Sequence, residues 1–123
     1  MMDRAFWYST TIGPSTWSYY FADPDDIESV CTGLPAEGVQ YEGCCIKTES
    51  IILISRKVPR DRIPDVVVHE SMHAVSAVAC AHETLRISAT REEAIVSTFA
   101  PGLTQALLSA KLLRLPRIPK GAR

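Results

Sequence analysis

The chain has 123 residues, of which 46% are hydrophobic and 22% are charged, and its formal net charge is −1. This composition is typical of a globular domain with one core, and the small net charge argues against bulk attraction to nucleic acid or to an anionic membrane. No apolar run approaches the roughly 18 residues that a membrane-spanning helix needs. The N-terminus lacks an apolar signal segment, so we expect one domain over residues 1–123 that functions in the cytoplasm.

Residues 1–43 are rich in aromatic residues and turn formers. We expect loops and short strands here, with a short helix over residues 25–32 that is capped by aspartates. The aromatic side chains are more often core than binding surface, because aromatics bury large areas in small domains. They are Trp7, Tyr8, Trp17, Tyr19, Tyr20 and Phe21.

The cysteines form no C-x-x-C pair; they are Cys31, Cys44, Cys45 and Cys80. Without an export signal, we expect reduced thiols. Cys44 and Cys45 are adjacent and therefore poorly placed for an ordinary bridge to each other. A bridge from Cys31 to one of them stays open.

Residues 44–57 form the predicted strand region. The segment ESIILISR at 49–56 is β-branched and apolar and ends at a proline-containing turn, which favours a strand. A second strand over residues 43–47 is expected to pair with it as a hairpin.

Residues 63–114 are predicted to contain two long helices. Pro64 suits the first turn of a helix over residues 64–81, and the apolar content of that helix indicates that most of its surface is buried. Thr90 is the expected cap of the second helix, which Pro101 should kink or break.

Residues 115–123 are basic and proline-rich, and we expect a solvated, loosely ordered tail. A contact with an acidic partner stays open, and the tail is the one hint of nucleic-acid binding. Its basic residues and those just before it are Lys111, Arg114, Arg117, Lys120 and Arg123.

The stretch VVVHESMHAV at residues 66–75 carries the strongest chemical signal. His69 and His73 are one helical turn apart on the same face, so their imidazoles can converge on one cation. Glu70 lies about 100° around the helix axis, where a carboxylate can accept the proton of a metal-activated water. The alternative is a metal-free helix in which the two histidines find other buried partners.

Two histidines do not complete a catalytic zinc site, which usually has three protein ligands and a water. His82 falls on the opposite helix face, and Cys80 lies roughly 10 Å further along the helix, so both are poor third ligands. The remaining candidates are Glu92 and Glu93 at the start of the second helix. A capping box formed by Thr90 and Glu93 is the structural alternative.

The pattern His69-Glu70-x-x-His73, followed by Glu93 twenty residues later, resembles the gluzincin clan of zinc peptidases, which includes the thermolysin-like enzymes. The flanking sequences HESMHAV and EAIVSTFA are similar too, and the resemblance covers about residues 66–100. It implies Zn²⁺ held by His69, His73 and Glu93, with Glu92 in reserve, and Glu70 as the general base of peptide hydrolysis.

The same resemblance implies a fold of the α+β class. We expect a minimal zincin-like domain in which a short β-sheet or hairpin precedes the H-E-x-x-H helix and a second long helix carries the third ligand. The chain also resembles small H-E-x-x-H proteins encoded by phages and prophages, which implies the host cytoplasm. In zincins an edge strand lines the cleft and binds extended peptides, and residues 49–56 are the candidate, although a plain core strand is an equal alternative.

Two departures from the gluzincin pattern bear on function. Ser97 stands where the clan often has an aspartate that supports the first histidine, so a hydroxyl would accept the imidazole N–H without charge. The chain has no room for the second lobe that supplies transition-state donors, so a tyrosine of the N-terminal region or His82 would have to take that role.

Two other classes of protein stay open. One is a non-catalytic or regulatory metal-binding protein of phage origin, in which a fourth ligand such as Cys80 closes the site. The other is a metal-free interaction protein in which the histidines are buried polar residues. The substrate, the oligomeric state and the choice of zinc over other divalent metals are not fixed by these patterns.

Overall fold

The computed structural model describes residues 3–31, 41–82 and 86–123, without the side chain of His82. Within this part the chain is α+β, with three helices and one mixed sheet of four strands, which confirms the predicted class. A 3₁₀ turn at Arg60–Arg62 precedes the second helix. The elements in chain order are β1 (Ala5–Ile12), β2 (Ser15–Ala22), α1 (Pro24–Val30), β3 (Gly43–Ile46), β4 (Ile51–Ser55), α2 (Ile63–His82) and α3 (Ala89–Ser109).

The N-terminal region forms a hairpin of two long strands, with a register shift between Phe6 and Tyr8, rather than loops with short strands. Strands β1 and β2 have eight residues each and pair antiparallel from Ala5 to Ile12. Ile12 pairs with Ser15, so the loop has two residues, and Gly13 adopts φ +58°, a conformation that glycine reaches without steric cost. The Gly13-Pro14 pair between alternating aromatic residues was the available hairpin signal.

Helix α1 is shorter than predicted, and its aspartates do not cap it. Asp23 occupies the N-cap position without a side-chain cap bond and pairs with Arg56 instead, Arg56 Nη1 to Asp23 Oδ1 being 2.9 Å. Asp26 is buried and accepts two hydrogen bonds from Arg4 at 2.7 and 2.9 Å. Thr32, the predicted last residue of this helix, lies outside the described residues.

The strand order of the sheet, β1-β2-β4-β3, corrects the prediction of a cleft-lining edge strand at 49–56. Strand β4 pairs with β2 in parallel on one side and with β3 antiparallel on the other. A strand with both edges paired cannot add a peptide, and its unbroken apolar run fits a central position. Among the described strands, β3 forms this edge of the sheet, and its pairing with β4 confirms the predicted hairpin.

The aromatic side chains of the first two strands form the core, as predicted. Trp7, Trp17, Tyr19 and Phe21 are buried, and they pack against Ile52, Ile54 and the first turns of α2. Tyr8 stacks on Tyr19 with ring centroids 4.4 Å apart. Helix α2 therefore lies on a face of the sheet through Val66 and Val67.

Helix α3 starts differently from the prediction. Ser88 is the N-cap residue, and its hydroxyl accepts a hydrogen bond from the backbone N–H of Arg91 at 3.2 Å, so Thr90 is already inside the helix. The helix continues through Pro101 to Ser109 without a break. It packs on α2 through Val96 and Ala100, which contact Val68.

The C-terminal segment packs on the domain, which contradicts the prediction of a solvated tail. Trp7 Nε1 donates to the carbonyl of Pro116 at 3.1 Å, Arg123 donates to the carbonyl of Val58, and Ala122 is only 3% exposed. Leu115 and Ile118 contact the core cluster. The apolar residues interspersed with the basic ones bury enough surface to fix this segment, a pattern that the charge count hides.

Among the described residues, no helix combines the length and the apolar character that crossing a membrane requires.

Candidate metal centre

Helices α2 and α3 bring the three predicted ligands together. His69 and His73 project from the same face of α2, and Glu93 reaches them from the N-terminal part of α3. The Nε2 atom of His69 is 3.2 Å from Glu93 Oε1, and the Nε2 atom of His73 is 2.9 Å from Glu93 Oε2. One ligand atom from each residue falls within 4.8 Å of the others, so this group could hold a metal ion.

The separations between these atoms suit a small divalent cation. In a tetrahedral zinc site with bonds of about 2.0–2.2 Å, neighbouring ligand atoms lie roughly 3.3–3.6 Å apart. The two nitrogen–oxygen distances, 3.2 Å to Oε1 and 2.9 Å to Oε2 of Glu93, are close to this range. Two imidazoles and one carboxylate are also a donor set that zinc binds well.

The two adjacent glutamates have different positions. Glu93 faces the Nε2 atoms of both histidines and is 56% exposed. Glu92 is 7% exposed and lies on the other side of the His73 ring, with its Oε2 atom 3.0 Å from Nδ1. It also accepts a bond of 2.5 Å from Lys47 Nζ at the same oxygen. Glu92 thus lies behind His73, outside the ligand group.

The charged form of Glu92 is favoured although the side chain is buried. Burial alone would raise the pKa of Glu92, but hydrogen bonds from Lys47, Ser76 and His73 together lower it. A carboxylate in this position can fix the His73 ring so that Nδ1 carries the proton and Nε2 faces the ligand group.

Glu93 is held in place by Ser97 one turn later. Ser97 Oγ donates to Glu93 Oε1 at 2.9 Å, so this serine supports the carboxylate. The sequence pattern had predicted that it would support the first histidine. Burial opposes the charged form, but the bond from Ser97 and the charges of His73 and His69 lower the pKa of Glu93. Burial in turn lowers the pKa of His69, which favours the neutral form of the imidazole that binds a metal.

Glu70 lies about 100° around the axis of α2 from His69, on the side that strand β3 covers. Its side chain is buried, and desolvation, with smaller effects of Cys31 and Glu93, raises the pKa of Glu70 to about 8. Strand β3 covers it closely. A Cβ atom on Gly43 would lie 3.0 Å from Glu70 Cγ and 2.9 Å from Val66 Cγ1, so only glycine lets the strand approach α2 this closely.

An open cleft of about 1170 Å³ joins these groups. Strand β3 and the following turn form one side, and the first turns of α3 form the other. The two histidines of the ligand group and Glu70 lie between them on α2. The lining includes Tyr41, Gly43, Cys44, Cys45, Lys47, His69, Glu70, His73, Glu92, Glu93 and Ser97.

Several sequence candidates do not join the centre. Cys80 is not part of the ligand group, and all four cysteines are thiols. The side chain of His82 lies outside the described residues. Glu93 contacts the histidines rather than completing a capping box with Thr90. Of the described tyrosines, Tyr41 lines the cleft, whereas Tyr8 and Tyr19 stack within the sheet core.

Two residues of the site were missed from the sequence. Lys47 looked like the end of a strand, and nothing in its neighbourhood pointed to Glu92, which is 45 positions away. Gly43 was read only as a strand residue, although a glycine inside a strand pattern is a known signal for close backbone approach.

Comparison of the chain with protein-family models, with characterised proteins and with solved structures found no match.

Proposed function

We propose that this protein is a zinc-dependent peptidase of the gluzincin type. The observation that carries the proposal is the shared cleft: the group His69, His73 and Glu93 opens into it, and the buried Glu70 follows the first histidine along its wall. An enzyme that hydrolyses peptides with a metal-activated water needs both parts next to one accessible space.

The side chains have distinct roles in this proposal. His69, His73 and Glu93 hold the metal, which when bound would polarise a scissile carbonyl and acidify a water molecule. Glu70 accepts the proton of that water at its carboxylate and returns it to the leaving amine. A nearby dication would favour the charged form of Glu70 and so oppose the effect of burial on its pKa.

Strand β3 supplies a route for substrate binding. It lies at the edge of the described sheet and lines the cleft, so an extended peptide can pair with the backbone of this strand. The hydroxyl of Tyr41 is the donor that we assign to the developing oxyanion, because this tyrosine lines the same cleft. The proposed setting is the host cytoplasm, as for the phage proteins that the sequence resembles.

A regulatory protein that holds its metal only as a structural link is the second candidate. Structural zinc sites usually have four protein ligands. Within the described part of the chain, the group contains two histidines and one carboxylate, and neither a cysteine nor a second acid joins it. This donor set leaves a coordination position for water and favours the peptidase.

The metal content of untagged protein is the first test. We expect about one zinc per chain in the wild type, and loss of this zinc in His73→Ala and in Glu93→Ala. A folded wild-type protein without metal, or an unchanged metal content in both variants, would overturn the proposal.

Turnover separates the two candidate functions. With an unfolded protein or a mixed peptide library as substrate, we expect Glu70→Gln to keep its zinc and to lose cleavage. Glu49→Gln, which removes an exposed carboxylate away from the cleft, should match the wild type. Zinc binding without cleavage by the wild type would favour the regulatory candidate, and full activity of Glu70→Gln would refute the role of Glu70.

A further inference from the structure

A buried acid and a lysine lie in line behind the second histidine. The His73 ring is contacted at both nitrogens: Nε2 is 2.9 Å from Glu93, inside the ligand group, and Nδ1 is 3.0 Å from Glu92, outside it. Since a carboxylate accepts hydrogen bonds, Glu92 holds the ring proton on Nδ1 when Nε2 serves as a metal ligand. The lone pair of Nε2 is then directed toward the ligand group.

Lys47 completes the line from the sheet side. It follows strand β3 immediately and is 44% exposed, and its Nζ atom is 2.5 Å from Glu92 Oε2. This oxygen is also the one that contacts His73 Nδ1. The ammonium group therefore keeps a cation away from Glu92, offsets the cost of burying the carboxylate and holds it against the ring.

We propose that Lys47 and Glu92 are positioning residues for the metal centre, in which Lys47 orients Glu92 and Glu92 orients His73. The turn after the cleft-lining strand β3 is thereby joined to the ligand set by two consecutive charged hydrogen bonds. This inference rests on the metal site of the proposed function but not on peptidase activity.

The arrangement also accounts for two adjacent glutamates at the start of α3. On a helix, neighbouring residues point about 100° apart, so the pair can reach opposite sides of one imidazole ring. Glu93 contacts Nε2, the nitrogen inside the ligand group, and Glu92 contacts Nδ1, the nitrogen outside it. Neither glutamate can replace the other, because Lys47 occupies the outer side of Glu92.

Zinc affinity, measured by competition with a chromophoric chelator, tests the proposal. We expect Glu92→Gln to bind zinc about 10- to 100-fold more weakly, the usual effect of removing such a partner. Lys47→Met should weaken binding about two- to fivefold, since a half-exposed ion pair contributes modestly. Lys47→Arg should restore affinity, and Lys57→Met, an exposed lysine away from the cleft, serves as the matched control.

A double variant asks whether the two residues act in sequence. If Lys47 acts through Glu92, Lys47→Met adds no further loss to Glu92→Gln. Fully additive losses would overturn this order of action.

Cobalt(II) replacement gives a readout that a general loss of stability would not change. We expect the visible absorption bands of the cobalt protein to shift in Glu92→Gln and in Lys47→Met and to keep their wild-type position in Lys47→Arg and Lys57→Met. Wild-type affinity and spectrum in both Glu92→Gln and Lys47→Met would overturn the inference while leaving the metal site intact. A wild-type protein that binds no metal would instead refute the proposed function on which it rests.

Discussion

Glu70 and Glu93 lie on the two sides of one cleft, and their environments oppose each other. Glu70 is covered by strand β3, and desolvation raises its pKa to about 8. Glu93 is more than half exposed, and its bonds to Ser97 and the histidines lower its pKa. Burial disfavours a charge, whereas hydrogen-bond partners favour it. The charged form is therefore disfavoured for Glu70 on the sheet side of the cleft and favoured for Glu93 on the α3 side.

The largest expected effect is on the free energy of unfolding of metal-free protein, and it comes from ionising the buried carboxyl group of Glu70. The pKa of this carboxyl is raised from a usual value near 4.5 to about 8, so the folded state retains a proton that the unfolded chain releases. This contribution to stability is complete below pH 4.5 and is lost as the pH rises to about 8. In urea unfolding, the free energy of unfolding of the wild type should fall by on the order of a few kcal/mol over this pH range. Glu70→Gln should not show this fall.

Exposed Glu49 provides the control for this pH series. Glu49→Gln removes the same charge without burial and should keep the wild-type pH dependence. His69 is present in every variant, so its titration cancels in the comparison. Parallel curves for Glu70→Gln and the wild type between pH 4.5 and 8.5 would contradict a buried, costly carboxyl.

The next largest effect on the free energy of unfolding is expected where β3 approaches α2 closely. Gly43→Ala places a Cβ atom 3.0 Å from the backbone oxygen of Leu53 and 2.9 Å from Val66 Cγ1. Because a backbone oxygen in a paired strand cannot move away, we expect a loss of about 1–3 kcal/mol in the free energy of unfolding. Gly102→Ala is the control: its Cβ meets open space inside α3 and should stabilise by roughly 0.5–1 kcal/mol. Equal effects of the two substitutions would show that β3 is not tightly packed.

The stability of the α3 side of the cleft depends on the N-terminal cap of this helix. Ser88→Ala removes the side-chain cap of the first turn and should cost about 1 kcal/mol in thermal or urea unfolding. Thr90→Ala, inside the helix, should stay within about 0.5 kcal/mol of the wild type. A larger cost at Thr90 than at Ser88 would reinstate the capping box that the sequence predicted.

The smallest effect is expected where Ser97 supports Glu93. Ser97→Ala removes one hydrogen bond to an exposed carboxylate and should weaken zinc binding by about two- to fivefold in the chelator competition. Thr98→Ala is the matched control, because the hydroxyl of Thr98 donates to the carbonyl of Ala94 within the helix. Unchanged affinity in Ser97→Ala would mean that Glu93 is fixed by the histidines alone.

Local patterns predicted the parts of the structure that depend on local physics. The i, i+4 spacing of His69 and His73 places them on one helix face whatever surrounds the helix, and the apolar run at 49–56 favoured a strand. The tail was predicted wrongly because its basic residues were counted while Leu115 and Ile118 were not weighed as core. The cap of α3 was assigned two residues late because Ser88 and Thr90 are both good caps, and sequence alone ranks them closely.

By itself the sequence determined the α+β class, through the resemblance and the strand and helix patterns, the hairpin of β3 with β4, through two neighbouring strand segments, and the face of α2 that carries the histidines, through the i, i+4 spacing. Only the tertiary structure decided which strand lies at the cleft, which glutamate faces the histidines and which supports them. Those outcomes depend on contacts between residues far apart in the chain, such as Lys47 with Glu92. No local pattern encodes a contact of this kind, because it exists only once the sheet and the two helices have packed.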